Sequence, residues 1–203
     1  MRHTLYYILL IALLALGLSL QAQNAPLTGA RRAEVLTAIA AAQQPKAGTT
    51  LHYTFVQTKH SPLLAADAVS KGTLRLSGDR SMCWQYTEPT AFMLVVEGDS
   101  IYTVAGGKRK SLSGASGKMT RGMAQLMMQM TAGAGLTDDK LFETVLVEEG
   151  GLYRATMTPK RRDMKRMMQQ VVLTFDRKSL RIKSVRLVEK DDSYTHIDFE
   201  SKK

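Results

Sequence analysis

The few residues that could act as nucleophiles, bases or metal ligands are widely separated in the sequence. His52, His60 and His196 share no motif, and Cys83 is the single cysteine. Neither a His-Glu-x-x-His nor a Gly-x-Ser-x-Gly motif is present, and no phosphate-binding loop is found. One cysteine excludes an intramolecular disulfide and a zinc site built from several thiolates. The sequence therefore predicts no catalytic residue, metal site or cofactor. A hydrolase whose site carries no such motif is the alternative.

Paired acidic residues occur where local structure accounts for them. Asp191-Asp192 falls in a predicted hairpin turn, where Asp favours local hydrogen bonds. Asp138-Asp139, with Thr137, falls at the predicted start of a short turn of helix around Leu141 and Phe142, where Asp caps the helix. His196 and Asp198 are two residues apart and would share one face of a strand, which favours a solvated strand face over a metal site. These patterns indicate a binding protein rather than an enzyme.

The N-terminal segment has the pattern of a secretory signal peptide. Arg2 precedes an uncharged run of 16 residues from Leu5 to Leu20, and Leu20-Gln21-Ala22 forms a cleavage site. Such a run is shorter than the about 20 apolar residues that span a bilayer. We therefore expect residues 1–22 to be removed and residues 25–203 to form one exported domain, located in the periplasm if the host has two membranes.

The chain is strongly basic. It carries 28 Lys+Arg against 18 Asp+Glu, a net charge of +10, and +9 remains once Arg2 is removed with the signal peptide. No nucleic-acid recognition motif is present, so we expect no nucleic-acid partner. An acidic membrane surface is one partner that this charge favours, and a plain solvated surface is the alternative.

The hydrophobic pattern predicts a mainly β chain with two helices. Val35, Leu36 and Ile39 form the apolar stripe of a helix over residues 31–44. A second helical pattern covers residues 118–131, where methionines share one face. Between and after them, alternation of apolar and polar residues predicts antiparallel strands. They lie near residues 51–55, 74–76, 82–86, 92–96, 101–104, 108–112, 144–148, 152–158, 171–175, 182–189 and 194–199.

Several short motifs occur in an order that resembles the LolA family, the periplasmic carriers of outer-membrane lipoproteins. The clearest is Trp84-x-Tyr86-x-x-Pro89, followed by the hairpin motif Leu94-Val95-Val96-Glu97-Gly98. Phe55-x-Gln57, Gly72-x-Leu74, Thr158-Pro159-Lys160, the run 172–175 and Asp192-x-Tyr194 complete the order. The resemblance extends from residue 30 to about residue 200, nearly the whole chain after the signal peptide.

Two departures from the family pattern keep a second function open. The family carries an Arg-Pro pair before its tryptophan, where this chain has Gly78-Asp79-Arg80. Well-studied members also end in a further strand rich in Phe and Pro, whereas this sequence stops at Lys203, shortly after Phe199. The alternative is a related module that binds a free lipid or glycolipid, or senses the envelope, with the same fold.

The resemblance implies an incomplete antiparallel β-barrel around an apolar cavity, with helices as a lid and acyl chains inside. Strand alternation and the methionine face then predict the cavity lining. The predicted lining residues are Tyr53, Phe55, Leu74, Trp84, Tyr86, Met123, Met127 and Met130. Methionine is flexible and polarisable, which suits chains of varied shape, although ordinary core packing is the alternative for these three.

Two basic clusters predict a docking surface. The residues concerned are Lys108, Arg109, Lys110, Arg161, Arg162, Lys165 and Arg166. Charges of one sign raise association rates with acidic partners or head groups. The resemblance implies acylated lipoproteins or lipids as cargo, an inner-membrane lipoprotein-releasing transporter as donor and an outer-membrane acceptor. We expect a monomer.

Overall fold

A computed structural model describes residues 25–79, 81–112 and 134–201. Helix α1 (Gly29–Gln43) precedes the strands, a 3-10 turn occupies Ala134–Thr137, and a short helix α2 occupies Arg162–Met167. The strands are β1 (Thr50–His60), β2 (Ala68–Ser77), β3 (Met82–Glu88), β4 (Phe92–Glu97), β5 (Ser100–Ala105), β6 (Lys108–Ser111), β7 (Phe142–Glu149), β8 (Leu152–Pro159), β9 (Gln170–Asp176), β10 (Ile182–Val188) and β11 (Tyr194–Ser201).

All the described strands belong to one antiparallel sheet. Its 11 strands run in the order β6-β5-β4-β3-β2-β1-β11-β10-β9-β8-β7. Neighbouring strands are consecutive in the chain except β1 and β11, which join the two halves over the register Tyr53–Ser201 to His60–Tyr194. Strands β6 and β7 stand at the two ends of the order, so the sheet is not closed. The predicted fold, mainly β and an incomplete antiparallel barrel, is confirmed.

Tight turns fix the register of two hairpins at the ends of the sheet. Gly106 and Gly107 connect β5 to β6, and Gly150 and Gly151 connect β7 to β8, each with a positive φ between 54° and 79°. Two-residue hairpin loops of this kind need a positive φ at both positions, which glycine adopts without steric cost. The glycine pairs therefore explain why the strands reverse at these residues.

One side of the sheet, here called the inner face, carries the core. The inner face is the side to which Trp84 points. Residues of other strands are assigned to it through the strand pairing, because directly opposed residues of antiparallel strands share a face. Along β7 to β10 this face buries Phe142, Leu146, Met157 and Phe175, all at most 1 % exposed. The opposite, outer face carries mainly polar and charged residues.

Helix α1 covers part of the inner face. Val35, Leu36 and Ile39 are buried in the same cluster as the strand residues, as the predicted stripe requires. The helix is held at both ends, because Arg32 donates to the Thr144 carbonyl of β7 at 3.0 Å and Gln43 Oε1 accepts from the Ile182 amide of β10 at 3.0 Å. The observed helix begins two residues earlier and ends one earlier than predicted.

Two other helix predictions fare differently. The methionine helix over residues 118–131 lies outside the described residues. The turn predicted around Leu141 and Phe142 was misplaced, because the helical turn is Ala134–Thr137 and Phe142 already begins β7. Asp138 does act locally, since its Oδ1 accepts from the Lys140 amide at 3.0 Å. Within the described ranges, no helix combines the length and apolar character needed to cross a membrane.

Candidate binding site on the inner face

The structure brings the five predicted strand residues together on the inner face. Tyr53, Leu74 and Trp84 are directly opposed across β1, β2 and β3. Phe55 and Tyr86 occupy the next row, on either side of Gly72. Tyr53, Phe55, Leu74 and Trp84 are each at most 3 % exposed, and Tyr86 is partly buried.

The centre of this group is an aromatic cluster. The Phe55 ring lies 4.8 Å from that of Trp84 and 5.3 Å from that of Tyr86, measured between centroids. Phe199 of β11 approaches Trp84 edge-on at 5.9 Å. Edge-to-face and tilted pairs at these separations are the favoured aromatic geometries. Phe199 is thus part of the site, although it is not among the predicted lining residues.

Gly72 makes room for the Phe55 ring. A Cβ at this position would lie 2.0 Å from the Gln85 carbonyl oxygen and 2.6 Å from Phe55 Cζ. Both separations are far below normal contact, so no side chain fits beneath the ring. The Gly72-x-Leu74 motif therefore has a physical reason: glycine clears the space and Leu74, fully buried, fills the adjoining row.

Few polar groups interrupt this apolar face. The Tyr86 hydroxyl donates to Gln57 Oε1 at 2.9 Å. Burial raises the pKa of the Tyr86 hydroxyl above its ordinary value, opposed by the neighbouring Trp84 and Gln57 side chains. Burial likewise raises the pKa of Tyr53, opposed by Arg181. The Trp84 Nε1 is buried beside the Tyr86 hydroxyl.

The inner face is packed where the lining residues lie. Two depressions of about 460 and 280 Å³ open elsewhere, one beside Glu148, Gly151 and Arg177 and the other around His52, Arg75 and Cys83. Neither is lined by any of the predicted cavity residues. The remaining predicted lining residues, Met123, Met127 and Met130, lie outside the described residues, as does Arg80.

The two basic clusters occupy different parts of the fold. Lys108, Arg109 and Lys110 form the exposed strand β6, at one end of the sheet order. Their side chains alternate: Lys108 and Lys110 extend the rows of Tyr86 and Trp84 on the inner face, whereas the Arg109 guanidinium lies 3.5 Å from the Tyr102 ring centroid on the outer face. The first cluster is therefore divided between the two faces.

The second cluster is continuous and exposed. Arg161 precedes α2, and Arg162, Lys165 and Arg166 lie on it. Among the ion pairs of the described residues, one belongs to this cluster: Arg161 Nη2 lies 2.7 Å from Asp163, and this hydrogen bond lowers the pKa of the Asp163 carboxyl. The connection between β8 and β9 therefore presents a concentrated positive charge to solvent.

The residues considered for catalysis are placed as surface groups. His196 Nε2 lies 3.1 Å from Asp198 and His60 Nδ1 lies 2.7 Å from Asp67, and both imidazoles are half-buried. Asp191 accepts from the Ser193 backbone amide at 3.3 Å, in the turn role predicted for it. No group of three or more His, Cys, Asp or Glu in the described ranges could hold a metal ion.

Comparison with known proteins gives a family for the fold. Residues 47–203 match the family model described as outer membrane lipoprotein carrier protein LolA. No curated protein matches the sequence.

Solved structures with a similar arrangement share little sequence with this chain. A LolA superfamily protein of Nitrosomonas europaea is 12% identical over 83% of this chain and 91% of its own, with a TM-score of 0.42. The lipoprotein LppX of Mycobacterium tuberculosis is 13% identical over 83% of this chain and 91% of its own, with a TM-score of 0.44. An outer membrane lipoprotein-sorting protein domain of Vibrio parahaemolyticus is 11% identical over 83% and 91%, with a TM-score of 0.41.

Proposed function

Because the chain belongs to the LolA family of outer membrane lipoprotein carrier proteins, we propose that it binds the acyl chains of lipoproteins and carries them between two membranes. The observation that carries this proposal is the buried aromatic cluster of the inner face, formed by Phe55, Trp84, Tyr86 and Phe199. An apolar face with few fixed polar groups suits hydrocarbon, which offers no hydrogen bonds in return.

The free energy of burying an acyl chain is compatible with a carrier that must also release its cargo. A 16-carbon chain buries about 15 methylenes at ~0.8 kcal/mol each, about 12 kcal/mol in total. Separating the packed side chains and moving the covering elements opposes this gain. The apolar side chains of the inner face pack against one another, so the contacts that cargo displaces form again when it leaves. Closure therefore assists release to an acceptor.

The proposal includes the cellular setting and the partners. Residues 1–22 serve as a signal peptide, and the remaining chain acts in the periplasm as a monomer. An inner-membrane lipoprotein-releasing transporter supplies the cargo and an outer-membrane acceptor takes it. The basic connection at Arg161, Arg162, Lys165 and Arg166 serves docking, since its charge is exposed and continuous. The protein performs no chemistry on its cargo.

The test is to identify what the protein carries. Protein purified from the periplasm of its host, without detergent, is denatured and its released ligands are identified by mass spectrometry. Triacylated or diacylated peptides are expected. A free glycolipid or phospholipid would instead support a lipid-binding or envelope-sensing module, and a cleaved lipid product would support a hydrolase.

A matched pair of variants locates the bound ligand. Phe55→Ser alters the inner face at the aromatic cluster, whereas Val56→Ser alters the adjacent residue of β1, which is 41% exposed on the outer face. Ligand recovered per mole of folded protein should fall in the first variant and stay at the native level in the second. Equal recovery from both would place the ligand away from the inner face.

A further inference from the structure

The connection between β1 and β2 presents apolar side chains to solvent. Leu63 is 90% exposed, the highest value among the large apolar residues of the described chain, and the adjacent Leu64 is 50% exposed. Residues 61–66 read Ser-Pro-Leu-Leu-Ala-Ala and contain no charge; they are called the apolar turn below. Scattered single apolar residues are ordinary on a protein surface, whereas a contiguous apolar patch marks a contact surface.

Hydrogen bonds within the loop give the apolar turn a defined shape. The Leu64 amide donates to the Ser61 carbonyl at 3.0 Å, which closes a four-residue turn with Pro62 at its second position, where proline is favoured. At the base of the loop, His60 Nδ1 lies 2.7 Å from Asp67 Oδ1. The two leucines are therefore displayed at the end of a hairpin whose own contacts shape it.

The neighbouring turns at this end of the strands are also uncharged. The β3–β4 turn (residues 89–91) and the β5–β6 turn (residues 106–107) lie at the same end as the apolar turn, because successive antiparallel strands reverse direction. Turns of these strands at the opposite end carry Asp79 and Asp99. The three uncharged turns, residues 61–66, 89–91 and 106–107, are called the neutral rim below.

Positive charge borders the neutral rim. Lys59 and Lys71 lie on β1 and β2 behind the apolar turn, and Lys108 begins β6 directly after the β5–β6 turn. The acidic residue that precedes the β3–β4 turn is neutralised, since Glu88 Oε2 lies 3.0 Å from Lys71 Nζ. An apolar tip with lysines set back from it is therefore the character of this end of β1 to β6.

The second basic cluster lies at the same end of the sheet. Strand β8 runs toward this end and β9 runs away from it, so the connection that carries the cluster emerges there. This connection also exposes Met167, at 49%. The β10–β11 turn, which stands between the two positions in the sheet order, carries Asp191 and Asp192. A negatively charged partner is therefore favoured at the neutral rim and at the basic cluster, and not at this turn.

This combination fits an anionic lipid surface. Leucine side chains can enter the boundary between head groups and hydrocarbon, while the long side chains of lysine reach the phosphates around them. A protein interface adds directional hydrogen bonds around its apolar centre, and the small, uncharged turns of the rim supply few of these. The net charge of +10 adds attraction to acidic head groups.

We propose that the neutral rim is a membrane-docking surface, in which Leu63 and Leu64 insert into an anionic bilayer and the lysines around them bind its head groups. The bilayer surface is then a partner in itself, in addition to any protein embedded in it. This inference goes beyond the proposed function, because it concerns a surface away from the inner face and holds whichever ligand that face binds.

The test measures binding to lipid alone. Purified protein is mixed with vesicles of phosphatidylglycerol and phosphatidylethanolamine, or of phosphatidylcholine, and the bound fraction is pelleted with the vesicles. We expect binding to the anionic vesicles that weakens as salt is added. Leu63→Ser combined with Leu64→Ser should weaken this binding by about ten-fold or more, because two leucines no longer leave water. Val56→Thr combined with Val145→Thr should bind like the native protein, since it removes two residues of 41% and 42% exposure away from the rim.

A second measurement reports whether the apolar turn inserts. Leu63→Trp should gain blue-shifted emission on anionic vesicles and be quenched by lipids with brominated acyl chains. Val56→Trp also contains Trp84, so the difference between the two variants reports on position 63. No binding of the native protein to anionic vesicles, equal binding of the leucine and valine variants, or equal quenching of the two tryptophan variants overturns the inference and leaves the leucines to a protein contact. Because these assays contain no lipoprotein, the proposed function is decided separately by the ligands that the protein carries.

Discussion

Replacing Gly72 with alanine should disrupt the aromatic cluster from beneath. The added methyl would lie 2.0 Å from the Gln85 carbonyl oxygen and 2.6 Å from Phe55 Cζ. The ring can move aside, but the carbonyl belongs to the backbone of β3, where that strand pairs with β2. The substitution therefore displaces both Phe55 and the adjoining strand.

The expected cost follows from these two close approaches. Overpacking a filled core costs about 1–3 kcal/mol, and a clash with backbone moves the value to the upper end or beyond it. Alanine has less conformational entropy than glycine in the unfolded chain, which offsets about 0.4–1 kcal/mol of this cost. We expect Gly72→Ala to lower the free energy of unfolding by about 2–3 kcal/mol, which for a chain of this size lowers Tm by roughly 4–12 °C.

Gly135 provides a matched control. It is also buried, but a Cβ there would meet only Met157 Cε, at 3.8 Å, an ordinary contact. Gly135→Ala should therefore leave stability unchanged or raise it slightly. Urea unfolding followed by Trp84 fluorescence measures both variants, and the Trp84 emission of folded Gly72→Ala should differ from native because its Phe55 neighbour has moved. Equal stability of the two variants would refute the assignment of Gly72 as the space for the Phe55 ring.

Three further predictions concern binding and docking. A long-chain lipid analogue should shift or quench the fluorescence of Trp84, and an unchanged spectrum at saturation would remove this residue from the lining. In the helix predicted over residues 118–131, the substitutions Met123→Ile, Met127→Ile and Met130→Ile should preserve folding. They should weaken acyl-chain binding or narrow the accepted chain lengths, because β-branched isoleucine adapts less than methionine. Parallel losses of stability and binding in that variant would indicate ordinary core residues. Charge reversal in the second basic cluster should slow transfer to or from a membrane-bound partner, most strongly at low salt, and leave binding of a soluble lipid analogue unchanged; the substitutions are Arg161→Glu, Arg162→Glu, Lys165→Glu and Arg166→Glu. If the transfer rates respond neither to salt nor to this reversal, the positive charge has no role in docking and is only a solvated surface.

Alternation within single strands made much of the inner face predictable. Tyr53 and Phe55, two residues apart, do share a buried face, and so do Met82 and Trp84. Period-two patterns are local, so they are visible in a short window of sequence. The helix over Gly29–Gln43 was predictable for the same reason, because its apolar stripe is complete within a few turns.

Pairing between distant strands was not predictable from such windows. Phe199 reaches Trp84 only because β11 pairs with β1, and the two strands are separated by most of the chain. The division of Lys108, Arg109 and Lys110 between two faces was missed for a different reason. The three residues were considered as a cluster by charge, although they form a strand whose side chains alternate.

The two ends of the open sheet have consequences for solubility. An uncovered strand edge is a template on which another chain can add a strand, and aggregation follows when copies do so. At β7 the chain covers part of the edge itself, because Pro26 bridges Val147 and the Leu27 amide donates to the Leu146 carbonyl at 2.7 Å. At β6 the edge strand carries Lys108, Arg109 and Lys110, all exposed. Two such edges repel each other, so the open sheet does not become a site for growth of a larger sheet.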